Sequence, residues 1–122
     1  MAGEYMHLSA SHLRNLRQLL GSSIDILAYR ALRQVPMLDE QRQVVEGEIV
    51  KDYYHVREFN DLGKALAEKP NIAFITNPSA MHVDVALQAA KAGCHLFIEK
   101  PLGTNKDGVE ELLNVVERQN LV

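Results

Sequence analysis

The apolar residues Leu13, Leu16 and Leu20 recur at helical spacing, the pattern of an amphipathic helix with one face toward a core. Ser9 or Ser11 is placed to cap its first amide groups, and Gly21 supplies a left-handed stop. Ile24-Asp25-Ile26-Leu27-Ala28-Tyr29 then reads as a short buried strand. Between Arg30 and Tyr54 the pattern weakens, and Val44-Val45 and Ile49-Val50 flank Glu46-Gly47-Glu48 as in a small hairpin. Val56 to Phe59 reads as an edge strand. Asn60 follows as the cap of a helix carrying Leu62, Ala65 and Leu66, which ends before Pro70.

The second half of the chain is more sharply patterned. Asn71-Ile72-Ala73-Phe74-Ile75-Thr76 is an apolar run between turn residues, as expected of a buried parallel strand. Asn77-Pro78 fits a helix start, with Asn as cap and Pro at the first helical position. Val83, Ala86, Leu87 and Ala90 then share one helix face, and Gly93 ends it. His95-Leu96-Phe97-Ile98 is the next strand. After Lys100-Pro101 a last helix is predicted from about Asn105, with Val109, Leu112, Leu113 and Val116 on one face. Leu121-Val122 stands where another strand would begin. This alternation predicts one domain over residues 1–122 of the α/β class, a doubly wound parallel sheet of Rossmann type in three layers, α/β/α. In such a fold the ligand crevice lies beyond the carboxyl ends of the strands.

Composition narrows the function classes. The chain of 122 residues is 47% hydrophobic and 24% charged, ordinary for a globular protein. A formal charge of −3 gives no electrostatic case for nucleic acid or a membrane surface as partner. No apolar run approaches the roughly 20 residues that span a bilayer, and the first residues lack the layout of a signal peptide. Cys94 is the only cysteine, which excludes an internal disulfide and fits a reducing cytoplasm. His7, His12, His55, His82 and His95 show no tight ligand spacing, so no metal site is expected.

Three strand ends carry candidate chemistry. Tyr29-Arg30, with Arg33 close behind, falls where a dinucleotide-binding domain reads the adenosine ribose; arginine there accommodates the 2′-phosphate of NADP. The alternative is a pair of solvated surface arginines. Thr76-Asn77-Pro78 places a hydroxyl and an amide at a strand-to-helix junction facing the crevice, or else serves as simple capping. Glu99-Lys100-Pro101 puts two charged side chains directly after a buried strand. A lysine there hydrogen-bonds a reacting hydroxyl or exchanges a proton with it, or else the triplet is a solvent-facing turn with a surface ion pair. Pro101 also permits a cis bond. His82 lies one helical turn past Asn77, either toward the same crevice or in a packing role. Cys94 reads as a small core residue.

Thr76-Asn77-Pro78-Ser79-Ala80-Met81-His82, followed by Ala89-Ala90-Lys91-Ala92-Gly93-Cys94-His95-Leu96-Phe97-Ile98-Glu99-Lys100-Pro101-Leu102, resembles the signature stretch of the Gfo/Idh/MocA oxidoreductases. Residues from about Ser11 to Val122 fit that family's N-terminal domain, and His12-Leu13-Arg14-Asn15-Leu16 is similar to the helix after its phosphate loop. The resemblance implies hydride transfer between NADP (or NAD) and a sugar- or polyol-like hydroxyl. It implies that Lys100 is the catalytic residue beside the nicotinamide, that Glu99 helps hold the nicotinamide ribose, and that the Lys100–Pro101 bond is cis. Thr76, Asn77, Pro78 and His82 match a cofactor-side loop, and Arg30, where many relatives carry an acid, implies NADP.

The chain also departs from the family pattern. Relatives begin with a strand and a Gly-x-Gly-x-x-Gly loop, whose glycines would fall at Glu4, Met6 and Ser9; none is glycine, and Gly3 does not restore the spacing. The close backbone approach to pyrophosphate that glycine allows is not encoded. The family's second domain, with the usual aspartate and histidine partners of Lys100, is not present in these residues. The expectation is therefore a truncated or degenerate domain, inactive by itself. In the usual strand order the first strand is central, so its loss leaves exposed sheet edges. Glu4-Tyr5-Met6-His7-Leu8 forming a replacement strand, or two chains pairing as a homo-oligomer, would cover them. Two other readings stay open: a non-catalytic, self-associating assembly module, and a fragment with no independent role.

Overall fold

The computed structural model describes residues 12–29, 36–39 and 41–122. The Glu4–Leu8 segment, the helix start at Ser9 or Ser11, and Arg30 and Arg33 lie outside the described residues. The chain divides into two compact units, Met1–Ala65 and Leu66–Val122. Among the described residues the strands form three two-stranded sheets, two parallel and one antiparallel. Parallel strands joined through helices make this an α/β fold of incomplete Rossmann type.

In the first unit, helix α1 covers 12–20 and buries Leu13, with Leu16 half-buried. Gly21 ends it at φ +66°, its amide donating to the Arg17 carbonyl at 2.9 Å. Strand β1 (Ile26–Tyr29) pairs in parallel with β4 (Val56–Phe59), in register from Ile26 opposite Val56 to Tyr29 opposite Phe59. The strand begins two residues later than its sequence pattern predicts. The Ile24 carbonyl is taken by the Arg17 guanidinium at 2.8 Å, and Asp25 is paired with Arg57 at 2.6 Å. Leu13, Ile26, Tyr54 and Val56 form the core of this unit.

Two local expectations are corrected here. The hairpin does not turn at Glu46-Gly47-Glu48. Strand β2 (Pro36–Leu38) pairs antiparallel with β3 (Val44–Ile49), and the turn lies between them. The Asp39 carboxylate closes it by accepting from the Gln41 and Gln43 amides at 2.9 and 2.8 Å, a side-chain-built turn. Gly47, at φ +77°, instead sits inside β3 where the register slips between Pro36 and Met37, as a bulge requires. A single turn, α2 (Val50–Tyr53), leads into β4. The cap of α3 (Leu62–Ala67) is Asp61 rather than Asn60, because the Asp61 carboxylate accepts from the Lys64 amide at 2.9 Å.

In the second unit, β5 (Ile72–Ile75) and β6 (His95–Ile98) run parallel, with Ile72 opposite His95 and Ile75 opposite Ile98. Helix α4 (His82–Lys91) connects them, and α5 (Val109–Arg118) follows β6. Ile75, Ala86, Ala90, Leu112 and Val115 form the core, with Ala73, Leu96 and Ile98 against it. Helix α4 ends as expected at Gly93. Its φ is +91°, and the Gly93 and Cys94 amides return to the Ala90 and Ala89 carbonyls at 2.9 and 3.1 Å. Cys94 is fully buried, and burial pushes its thiol pKa up, so it is a packing residue rather than a nucleophile. The Leu96 amide donates to the Val122 carbonyl at 2.7 Å, so pairing beside β6 begins where the pattern predicts a strand.

The buried face of α5 matches the expected one at Leu112 and Val116 and departs from it at one position: Val115 is buried and Leu113 is 59% exposed. The helix also starts later than expected. Asn105 holds the Asp107 amide in a turn at 2.9 Å, and Gly108 at φ +74° precedes the first helical residue, Val109. The first helical residue is thus four residues after the expected start. A Cβ on Gly108 would lie 3.0 Å from one Val83 methyl, and one on Gly103 would lie 3.1 Å from the other. The loop after β6 therefore packs directly on the start of α4. On the other face of this sheet Ile72, Phe74 and Phe97 are part-exposed, and the two phenyl rings lie 5.1 Å apart.

Candidate functional site

The site is built at the carboxyl ends of β5 and β6. Because these strands are parallel and in register, Ile75 and Ile98 end side by side, and the Glu99 amide extends the ladder to the Ile75 carbonyl at 3.0 Å. Thr76, Asn77 and Pro78 leave one strand while Glu99, Lys100 and Pro101 leave the other. The register of two short apolar strands thus brings both sequence motifs to one edge, where α/β folds place their ligands. The Lys100–Pro101 peptide is cis, as the family resemblance implies. Lys100 is exposed, whereas Thr76, Asn77 and Glu99 are half-buried.

Asn77 does not cap a helix as its position predicts. Pro78 has extended backbone angles (φ −52°, ψ 139°) and precedes a single 3-10 turn, Ser79–Met81, with no side-chain cap. The Asn77 amide nitrogen donates to the Met81 carbonyl at 3.3 Å, and its Oδ1 is buried with no hydrogen-bond partner among the described residues. An orphaned acceptor is costly, about 1–3 kcal/mol. One at a strand end is a natural place for a ligand donor.

His82 is 2% exposed. Its Nδ1 faces the Pro101 carbonyl at 2.8 Å and its Nε2 faces the Asn77 carbonyl. One ring therefore spans the two loops. Of the residues singled out from sequence, the structure brings together Thr76, Asn77, Pro78, His82, Glu99 and Lys100; Arg30 and Arg33 are outside the described residues. Among the described residues there is no group of three or more His, Cys, Asp or Glu side chains able to hold a metal ion. No described helix is long and apolar enough to cross a membrane.

A further residue was not singled out from the sequence. Arg17 donates from Nε to the Tyr54 carbonyl at 3.0 Å, from Nη1 to Gly21 and Ile24 at 3.1 and 2.8 Å, and from Nη2 to His55 at 3.2 Å. It knits the end of α1 to the starts of β1 and β4. The available signal was its position four residues after Leu13, on the apolar stripe, where a charged residue needs partners.

Paired parallel strands, a connecting helix and polar loops at the strand ends define a domain of Rossmann type. The chain belongs to the Gfo/Idh/MocA family: the model of this oxidoreductase family, with its NAD-binding Rossmann fold, matches residues 30–122. Among solved structures it is similar to the UDP-N-acetylglucosamine 3-dehydrogenase of Acidithiobacillus ferrooxidans, at 30% identity and a TM-score of 0.54, over 60% of this chain and 24% of that one. A 3-ketoreductase of Actinomadura kijaniata, solved with NADP and TDP-benzene, shares the fold at 22% identity and a TM-score of 0.54, over 59% of this chain and 22% of that one. The WlbA dehydrogenase of Bordetella pertussis, solved with NADH and UDP-GlcNAcA, matches at 24% identity and a TM-score of 0.54, over 58% and 22%. The chain spans about a quarter of the length of these relatives.

Proposed function

We propose that this chain is the nicotinamide-side part of an NAD(P)-dependent oxidoreductase acting on a hydroxyl of a sugar- or polyol-like substrate. The observation that carries the reading is the buried, unpartnered Asn77 Oδ1 on the loop that His82 links to the Lys100–Pro101 turn. A carboxamide ligand brings the N–H donors such an acceptor lacks. When bound, a nicotinamide dinucleotide supplies hydride chemistry. Lys100, exposed at the strand end, donates a hydrogen bond to the substrate hydroxyl oxygen and handles the proton that leaves or joins it. Glu99 accepts from ribose hydroxyls, Thr76 and Pro78 line the same side, and Arg30 and Arg33 pair with a 2′-phosphate. The relatives named for nucleotide-linked sugars support a carbohydrate substrate. The buried, reduced Cys94 suits a cytoplasmic setting.

Titration with NADPH and NADH, read by calorimetry and ligand-observed NMR, tests this. NADPH is expected to bind, and Arg30→Ala to weaken it by about tenfold or more through loss of the phosphate pair. Binding of neither nucleotide overturns the reading.

A second reading rests on a separate observation, the exposure of the large apolar Ile72, Phe74 and Phe97. It is that the chain self-associates through this apolar surface, with or without catalysis. Sedimentation velocity across a wide concentration range is expected to show a growing dimer fraction. A single monomeric species at the highest concentration sinks it.

A further inference from the structure

The two loops of the candidate site are held by one buried side chain. His82 opens α4, and its ring lies between the carbonyl of Asn77, after β5, and the carbonyl of Pro101, after β6. A main-chain carbonyl oxygen accepts and never donates. Each contact is therefore a hydrogen bond only where the facing ring nitrogen carries a proton. In either tautomer one ring N–H donates to one loop's carbonyl while the other ring nitrogen lies against the second loop's carbonyl, in a position closed to water.

We propose that His82 is a positioning residue of this site, its one ring bridging the Asn77 and Pro101 carbonyls and so tying the two loops together. Through Pro101 it fixes the main chain next to Lys100, and through Asn77 it fixes the loop that presents the orphaned Oδ1. The geometry of the clamp stands on its own, whereas its consequence for the ligand rests on the function proposed above.

The test has two arms on the full chain. Nitrogen-15 NMR of the unliganded protein is expected to show a slowly exchanging ring proton on His82, coupled through its hydrogen bond to the Asn77 or Pro101 carbonyl carbon. A freely exchanging ring proton with no such coupling overturns the proposal. In the second arm, His82→Gln puts both its N–H donors on one nitrogen and cannot span the two carbonyls. It is expected to shift the amide resonances of Leu102 and Gly103 while leaving those of Leu112 and Val115 in place, and to weaken NADPH binding by about tenfold or more. His82→Ala with added imidazole is expected to recover those resonances. Unmoved Leu102 and Gly103 signals, or wild-type NADPH affinity in the folded variant, overturn the positioning role. If the wild-type chain binds no nucleotide, the proposed function falls, while the ring-proton coupling still decides the clamp. The same coupling decides it if neither variant folds.

Discussion

Leu112→Ala is expected to lower the unfolding free energy by about 2–5 kcal/mol, the range for truncating a closed-in leucine. Leu112 is 2% exposed and sits with Ile75, Ala86, Ala90 and Val115 in the core between the β5–β6 sheet and its helices. Removing its branched end leaves a void that the surrounding strands and helices refill only in part. The informative partner is Leu113→Ala. That side chain is 59% exposed, so its truncation is expected to change stability by no more than about 0.5 kcal/mol. Urea denaturation of both variants checks the pair. Equal losses would mean that α5 presents a different face from the one described.

Arg17→Ala is expected to destabilise the first unit by about 2–3 kcal/mol. The guanidinium serves four carbonyl oxygens, but the contacts to Gly21 and His55 are exposed, so water replaces them. The loss is carried by the part-buried bonds to Tyr54 and Ile24. Arg17→Lys is expected to recover little, because one ammonium nitrogen cannot reach acceptors spread around a planar fork. Native-state amide exchange of β1 and β4 reads the effect locally. Unchanged protection there would show that α1 is held to these strands by its leucines alone.

The parts of the fold that were legible in the sequence are those where one physical requirement dominates. β5, β6 and α4 each carry an uninterrupted apolar pattern ending at a turn-former, and Gly93 stops α4 where a left-handed residue was needed. The parts that were not legible depend on a choice between near-equal local solutions. Asn60 and Asp61 are both good caps, and only the helix start decides between them. Gly47 suits a turn as well as a bulge; the Asp39 side chain decided that by closing its own turn. Leu113 and Val115 flank the Leu112–Val116 stripe on opposite sides, and only the packing against β5, β6 and α4 decides which of them is buried.

The site divides in the same way. Both motifs were visible as residues, and their meeting at one edge follows from strand register. A packing role for His82 was one of two readings, but its partners were not visible, because main-chain carbonyls leave no mark in a sequence. The same holds for Arg17, whose acceptors include residues 37 and 38 positions away.

The grip of Gly103 and Gly108 on Val83 gives position 83 an influence that its chemistry would not suggest. Its two methyl groups act as a spacer between α4 and the loop that follows the Lys100–Pro101 turn. A larger residue there would press on the Gly103 and Gly108 backbone, and a smaller one would leave the loop without its stop. Natural variation at this aliphatic position would thus tune where Lys100 stands, by volume alone, with every polar residue of the site unchanged.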